Sequence, residues 1–90
     1  MENNIRRETR YPLVKTIYYT AESEQKKNTY KGVVKNVSNS GLCIYLSGLV
    51  DEGKSISINS VLPISCGKAV VRWVKQIETG FYMAGLGCVN

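Results

Sequence analysis

The chain has 90 residues, with twelve Lys and Arg against seven Asp and Glu, a formal charge of +5, and 43% hydrophobic residues. That length fits one domain with a modest core and argues against a deep cleft walled by several subdomains, while the composition excludes a disordered chain. With no histidine in the sequence, the usual general base, the Ser/His and Cys/His nucleophile pairs and the commonest zinc ligand are absent.

The N-terminus, Met1-Glu2-Asn3-Asn4-Ile5-Arg6-Arg7, is polar and charged with no apolar stretch behind it. It does not read as a signal peptide. No apolar run approaches the roughly 18 residues that span a bilayer, so membrane insertion is not expected and a cytoplasmic location is. Residues 1–11 hold few apolar groups and read as a flexible arm ahead of a domain over 12–90.

From there the pattern is that of strands. Residues 13–20 are rich in β-branched and aromatic types, 21–28 read as a polar hairpin tip, and 29–35 resume the strand signal. Leu42, Ile44 and Leu46 alternate with Cys43, Tyr45 and Ser47. Ile56 and Ile58 alternate with serines, and Val61-Leu62 run up to a stop at Pro63. Ala69, Val71 and Trp73 alternate with Val70, Arg72 and Val74, and Tyr82, Ala84, Leu86 and Cys88 close the series. Period 2 dominates and no segment sustains a period of 3.6. Six short strands with turn signals between them predict an antiparallel sandwich or barrel, and closure is favoured because it removes exposed edges. Cys43, Cys66 and Cys88 are odd in number, widely spaced and without a CxxC pair. No disulfide framework or metal site is expected from them.

Two short motifs carry chemistry. Arg6-Arg7-Glu8-Thr9-Arg10-Tyr11 places three guanidiniums just upstream of a strand. Their planar forks suit phosphates and the O6/N7 edge of guanine. Alone, such a run is more often a solvated basic tail. Asn36-Val37-Ser38-Asn39-Ser40-Gly41 is expected between two strands, with Asn36 and Ser38 shaping a tight turn and Gly41 free to adopt positive φ and to let a ligand approach the backbone closely. Such a turn could gather backbone N–H groups into an anion-binding concavity; alone, it is more often a plain connecting loop.

In combination, Arg-x-x-x-Arg (Arg6, Arg10) followed by Asn-x-Ser-x-x-Gly (Asn36, Ser38, Gly41) resembles the signature of the PilZ domain family. Tyr11-Pro12, Leu42-Cys43-Ile44, Gly67 through Trp73 and Gly80 through Leu86 resemble that family's surroundings too. The resemblance implies a six-stranded antiparallel β-barrel from a bacterial protein that binds cyclic di-GMP, with no catalytic residue and no cofactor. It implies that Arg6 and Arg10 clamp phosphates and guanine edges, one guanidinium stacking on a base. Asn36 and Ser38 would bond a guanine and a neighbouring phosphate, and Gly41 would permit the turn. Arg7 is an added cation in reach. Trp73 holds a position where some relatives place an aromatic near the base, although a half-buried barrel residue explains it equally. The arm would wrap over the ligand, and the change would be relayed to an unidentified downstream protein. A trailing helix is missing or vestigial.

Two other readings stay open. A barrel of this type with a pure protein-interaction role would not need the arginines. A nucleic-acid-binding barrel would need several aromatics on one face between basic residues, and Tyr18, Tyr19, Tyr30 and Tyr45 are the available ones. Nucleic acid is not the expected partner.

Overall fold

Alternating apolar and polar side chains produce strands wherever the backbone finds partners on both sides. The computed structural model describes residues 10–21, 28–48 and 50–89. It contains β1 (Tyr11–Ala21), β2 (Thr29–Val37), β3 (Gly41–Leu46), β4 (Ser55–Ile58), β5 (Lys68–Glu78) and β6 (Phe81–Val89). No helix occurs among the described residues. Every strand pairing is antiparallel. The order is β1-β2-β3-β6-β5-β4, and β4 pairs back onto β1 to close the sheet into a barrel.

Successive side chains on a strand point to opposite faces, so each strand sends every second residue inward. Ile17 and Tyr19 of β1, Val34 of β2, Leu42, Ile44 and Leu46 of β3, and Ile56 and Ile58 of β4 are buried together. Val37 of β2, Cys66 of the connection after β4, Ala69 and Val71 of β5, and Ala84 and Leu86 of β6 complete the core. Burying each large aliphatic side chain stabilises the fold by about 1.5–3 kcal/mol. Ile44 pairs with Val34 on one side and Ala84 on the other. Its truncation to alanine would cost about 2–5 kcal/mol, a large part of a small domain's stability.

Strands run further than side-chain patterning indicates. β1 begins at Tyr11, inside the expected arm, because Tyr11 pairs with Val37. β5 continues to Glu78 although Lys75 through Glu78 are exposed, since its hairpin partner Phe81 supplies backbone bonds to the end. A ladder needs backbone partners and not apolar side chains. Val61 and Leu62 form no strand: Val61 is exposed, whereas Leu62 packs on the core from the 59–67 connection.

The cysteines require a correction. Cys66 and Cys88 are joined by a disulfide, with Cα atoms 5.3 Å apart, and Cys43 is the buried free thiol. Sequence spacing concealed this, because the bond spans 22 residues. Cys88 is opposite Ala69 at the start of β5, close behind Cys66. Cross-linking a loop of this size is worth about 3 kcal/mol in chain-entropy terms.

The antiparallel order runs β1, β3 and β5 one way and β2, β4 and β6 the other. One end of the barrel therefore gathers the start of β1, the β2–β3 turn, the 59–67 connection and the end of β6. The expected motifs meet at that end.

Candidate functional site

Arg10 lies immediately before β1, and Asn36 is the penultimate residue of β2. Register places Pro12 opposite Asn36 and Tyr11 opposite Val37. The Arg10 side chain thereby reaches across, and its Nη1 donates to Asn36 Oδ1 at 2.9 Å. The two motifs, 26 residues apart in sequence, are joined directly. Arg6 and Arg7 lie outside the described residues.

The second motif differs from its expected form. Asn36 and Val37 finish β2 and Gly41 opens β3, so the turn itself is only Ser38 to Ser40. Ser38 is buried, and its N–H donates to the Gly41 carbonyl at 2.8 Å. Its hydroxyl donates to the same oxygen at 3.4 Å. The Ser38 amide is thus used inside the turn, so it does not join the anion-binding concavity envisaged for this segment.

Gly41 is needed for a different reason from the one expected. Positive φ occurs at Gly53 and Gly80 among the described glycines, and not at Gly41. Gly41 instead sits opposite Gly87 in the β3–β6 ladder, and a Cβ on it would run into the Leu86 carbonyl oxygen. Close backbone approach is the constraint.

A hollow of about 270 Å³ opens beside this turn. Arg10, Ser38, Ser40 and Gly41 form one side of it, while Arg72, Trp73, Gly85, Gly87 and Cys88 form the other. Of the expected site residues, Arg10, Ser38, Gly41 and Trp73 share this hollow, and Asn36 adjoins it through Arg10.

Sequence reading did not assign Arg72, Gly85 or Gly87 to the site. The β5–β6 register shifts between Val71 and Trp73, a bulge that turns both Arg72 and Trp73 outward. Bulges re-aim side chains in this way. Trp73 lies against Gly85 and Arg72 against Gly87: a Cβ at either glycine would collide with the indole or the guanidinium. The result is an indole and a guanidinium laid side by side along the β5–β6 wall. A signal was present, because Gly85 and Gly87 are two apart and share one face of β6, a spacing suited to flat side chains crossing a strand.

The site's electrostatics are cationic. Cys43 pairs with Asn36 under the Arg10 contact. Burial raises the Cys43 thiol above its ordinary 9.0, while Lys35 and Arg10 pull it back down to a lesser extent. Arg10 and Arg72 give the hollow a guanidinium on each side, and Trp73 adds a π surface. Two forks and an indole suit an anionic, planar, aromatic ligand. No cluster of metal-ligating side chains occurs among the described residues.

The four tyrosines considered for nucleic acid do not form one exposed row. Tyr19 is buried and stacks on Tyr30 at 5.6 Å, while Tyr45 stacks on Phe81 at 5.4 Å.

Among curated proteins, none matches the chain. The family model of the PilZ domain matches residues 4–90, nearly the whole chain and all six strands. PilZ domains are cyclic di-GMP-binding modules and are not known as catalysts. Fold, motifs and match agree, and the chain belongs to the PilZ domain family.

Proposed function

We propose that this chain is a cyclic di-GMP receptor whose ligand sits in the hollow between the β2–β3 turn and the β5–β6 wall. The observation that carries this reading is the 2.9 Å bond from Arg10 to Asn36, which joins the arginine motif to the turn motif at the mouth of the hollow. Cyclic di-GMP offers two phosphates and two guanines. Arg10 and Arg72 provide charged bidentate donors for the first, and Trp73 a stacking face for the second.

Asn36, at the end of β2, presents its amide toward a guanine edge, and Ser38 and Gly41 hold the turn that follows it. Arg6 and Arg7 complete the arginine motif in sequence and supply further guanidiniums to the phosphates. Fixing a chain segment onto a ligand costs roughly 1–2 kcal/mol per residue, so several contacts must form together. A Kd near the micromolar range, about −8 kcal/mol, follows for a ligand bound in this way. Binding draws the arm onto the barrel and alters its surface charge and shape. A downstream protein, in the cytoplasm of a bacterium, reads that change. The protein works by binding and not by catalysis.

Titration calorimetry with cyclic di-GMP tests the reading and returns stoichiometry as well. Saturable heat that is weakened at least tenfold in Ser38→Ala is the expected outcome. Absence of heat from the well-folded wild type at high ligand concentration would refute it.

A further inference from the structure

We propose that the Cys66–Cys88 pair is a thiol–disulfide switch that sets the affinity of the hollow for cyclic di-GMP, an inference that rests on the binding reading above. Cys88 belongs to the lining of the hollow. Its backbone N–H donates to the Ser40 carbonyl at 2.7 Å, which ties the end of β6 to the turn that carries Ser38. Its neighbour Gly87 lies opposite Gly41 and beneath Arg72. One cysteine therefore touches both walls of the site through the backbone.

Cys66 sits elsewhere. It is buried in the 59–67 connection and takes no part in lining the hollow. The disulfide fastens the last turn-contacting residue of β6 to a loop that packs on the core through Leu62 and Ile64. Position 88 is one residue from the end of β6, where a ladder by itself frays most readily. With the bond closed, the Cys88 amide stays on Ser40 and the turn is held in its binding form. With the bond open, ligand must order the end of β6 and the turn at once, which lowers affinity.

The chemistry is ordinary exchange with a low-molecular-weight disulfide such as oxidised glutathione. The Cys88 thiolate, the more exposed of the two, attacks the small disulfide and expels one thiolate, leaving a mixed disulfide. The Cys66 thiolate then attacks the Cys88 sulfur and expels the second. Two electrons pass from the cysteine pair to the oxidant, which leaves as two thiols, and the two cysteine protons go to solvent or to those thiolates.

The test is calorimetry with cyclic di-GMP on full-length protein, once equilibrated with oxidised glutathione and once with a phosphine reductant, thiols being counted by mass spectrometry. The reduced protein is expected to bind about five- to tenfold more weakly through lost preorganisation. Cys66→Ala, which leaves the lining intact, should bind like the reduced protein and ignore the reductant. If that variant does not fold, the reduced wild type carries the comparison alone. Equal affinities in the two states, tighter binding when reduced, or failure of the pair to oxidise would each overturn the switch. Absence of binding in both states, with the disulfide confirmed, would instead remove the receptor reading itself.

Discussion

Two aromatic side chains on the outside of the barrel have nearly the same exposure and different surroundings. Tyr18 on β1 is 46% exposed and Trp73 on β5 is 38% exposed. Tyr18 stands opposite Lys31, and its own backbone N–H donates to Ser60 Oγ at 2.9 Å, a bond that fastens the 59–67 connection to the barrel wall. Trp73 lies against a glycine beside a second side chain, Arg72, seated in the same way. A hollow with another guanidinium faces the pair. Exposure alone therefore does not mark a binding surface. What distinguishes the β5–β6 wall is a bulge that re-aims neighbours, glycines that let them lie flat, and charge arriving from another strand.

The largest effect should come from the charge. Arg10→Ala is expected to weaken cyclic di-GMP binding at least tenfold, about 1.4 kcal/mol or more, while the thermal midpoint moves little because Arg10 is exposed. Unchanged affinity would dissolve the distinction between the two walls. Next comes the seat. Gly85→Ala drives a Cβ into the indole, and overpacking of this kind costs about 1–3 kcal/mol when neighbours must shift. Trp73 is the one tryptophan in the chain, so its emission should change in that variant, and ligand-induced quenching should shrink. Preserved quenching would show that the seat does not matter.

Tyr18→Ala should leave affinity within about twofold, in keeping with surface substitutions remote from a site. A larger loss would extend the site onto β1. The smallest effect concerns pH. Burial raises the Cys43 thiol above 9.0 and the Tyr19 hydroxyl above 10.0, Tyr19 being raised further by Tyr30. Both groups are neutral in the favoured folded form, so their contribution is whole below the unfolded values and is lost as pH rises through the folded ones. The thermal midpoint should begin to fall above pH 9, and Cys43→Ala should delay that onset.

The strand positions were legible because period-2 alternation is local: Leu42, Ile44 and Leu46 announce an inward face whatever lies across from them. The arginine and Asn-x-Ser-x-x-Gly motifs were legible because their residue types suit phosphates and turns. Arg72 was not, since alternation assigns it and Trp73 to opposite faces and only the bulge against β6 brings both outward. Gly41 was noticed for a conformational freedom it does not use, while its real constraint comes from Leu86, 45 positions along the chain.

By itself, then, the sequence determined the all-β class and the inward residues, because each depends on side-chain type and near-neighbour spacing. Only tertiary structure decided that Arg10 meets Asn36, that Trp73 and Arg72 lie on glycines, and that Cys66 meets Cys88. Those meetings are set by strand order and register, which bring distant segments within bonding distance through backbone pairing that leaves no mark on any short stretch of residues.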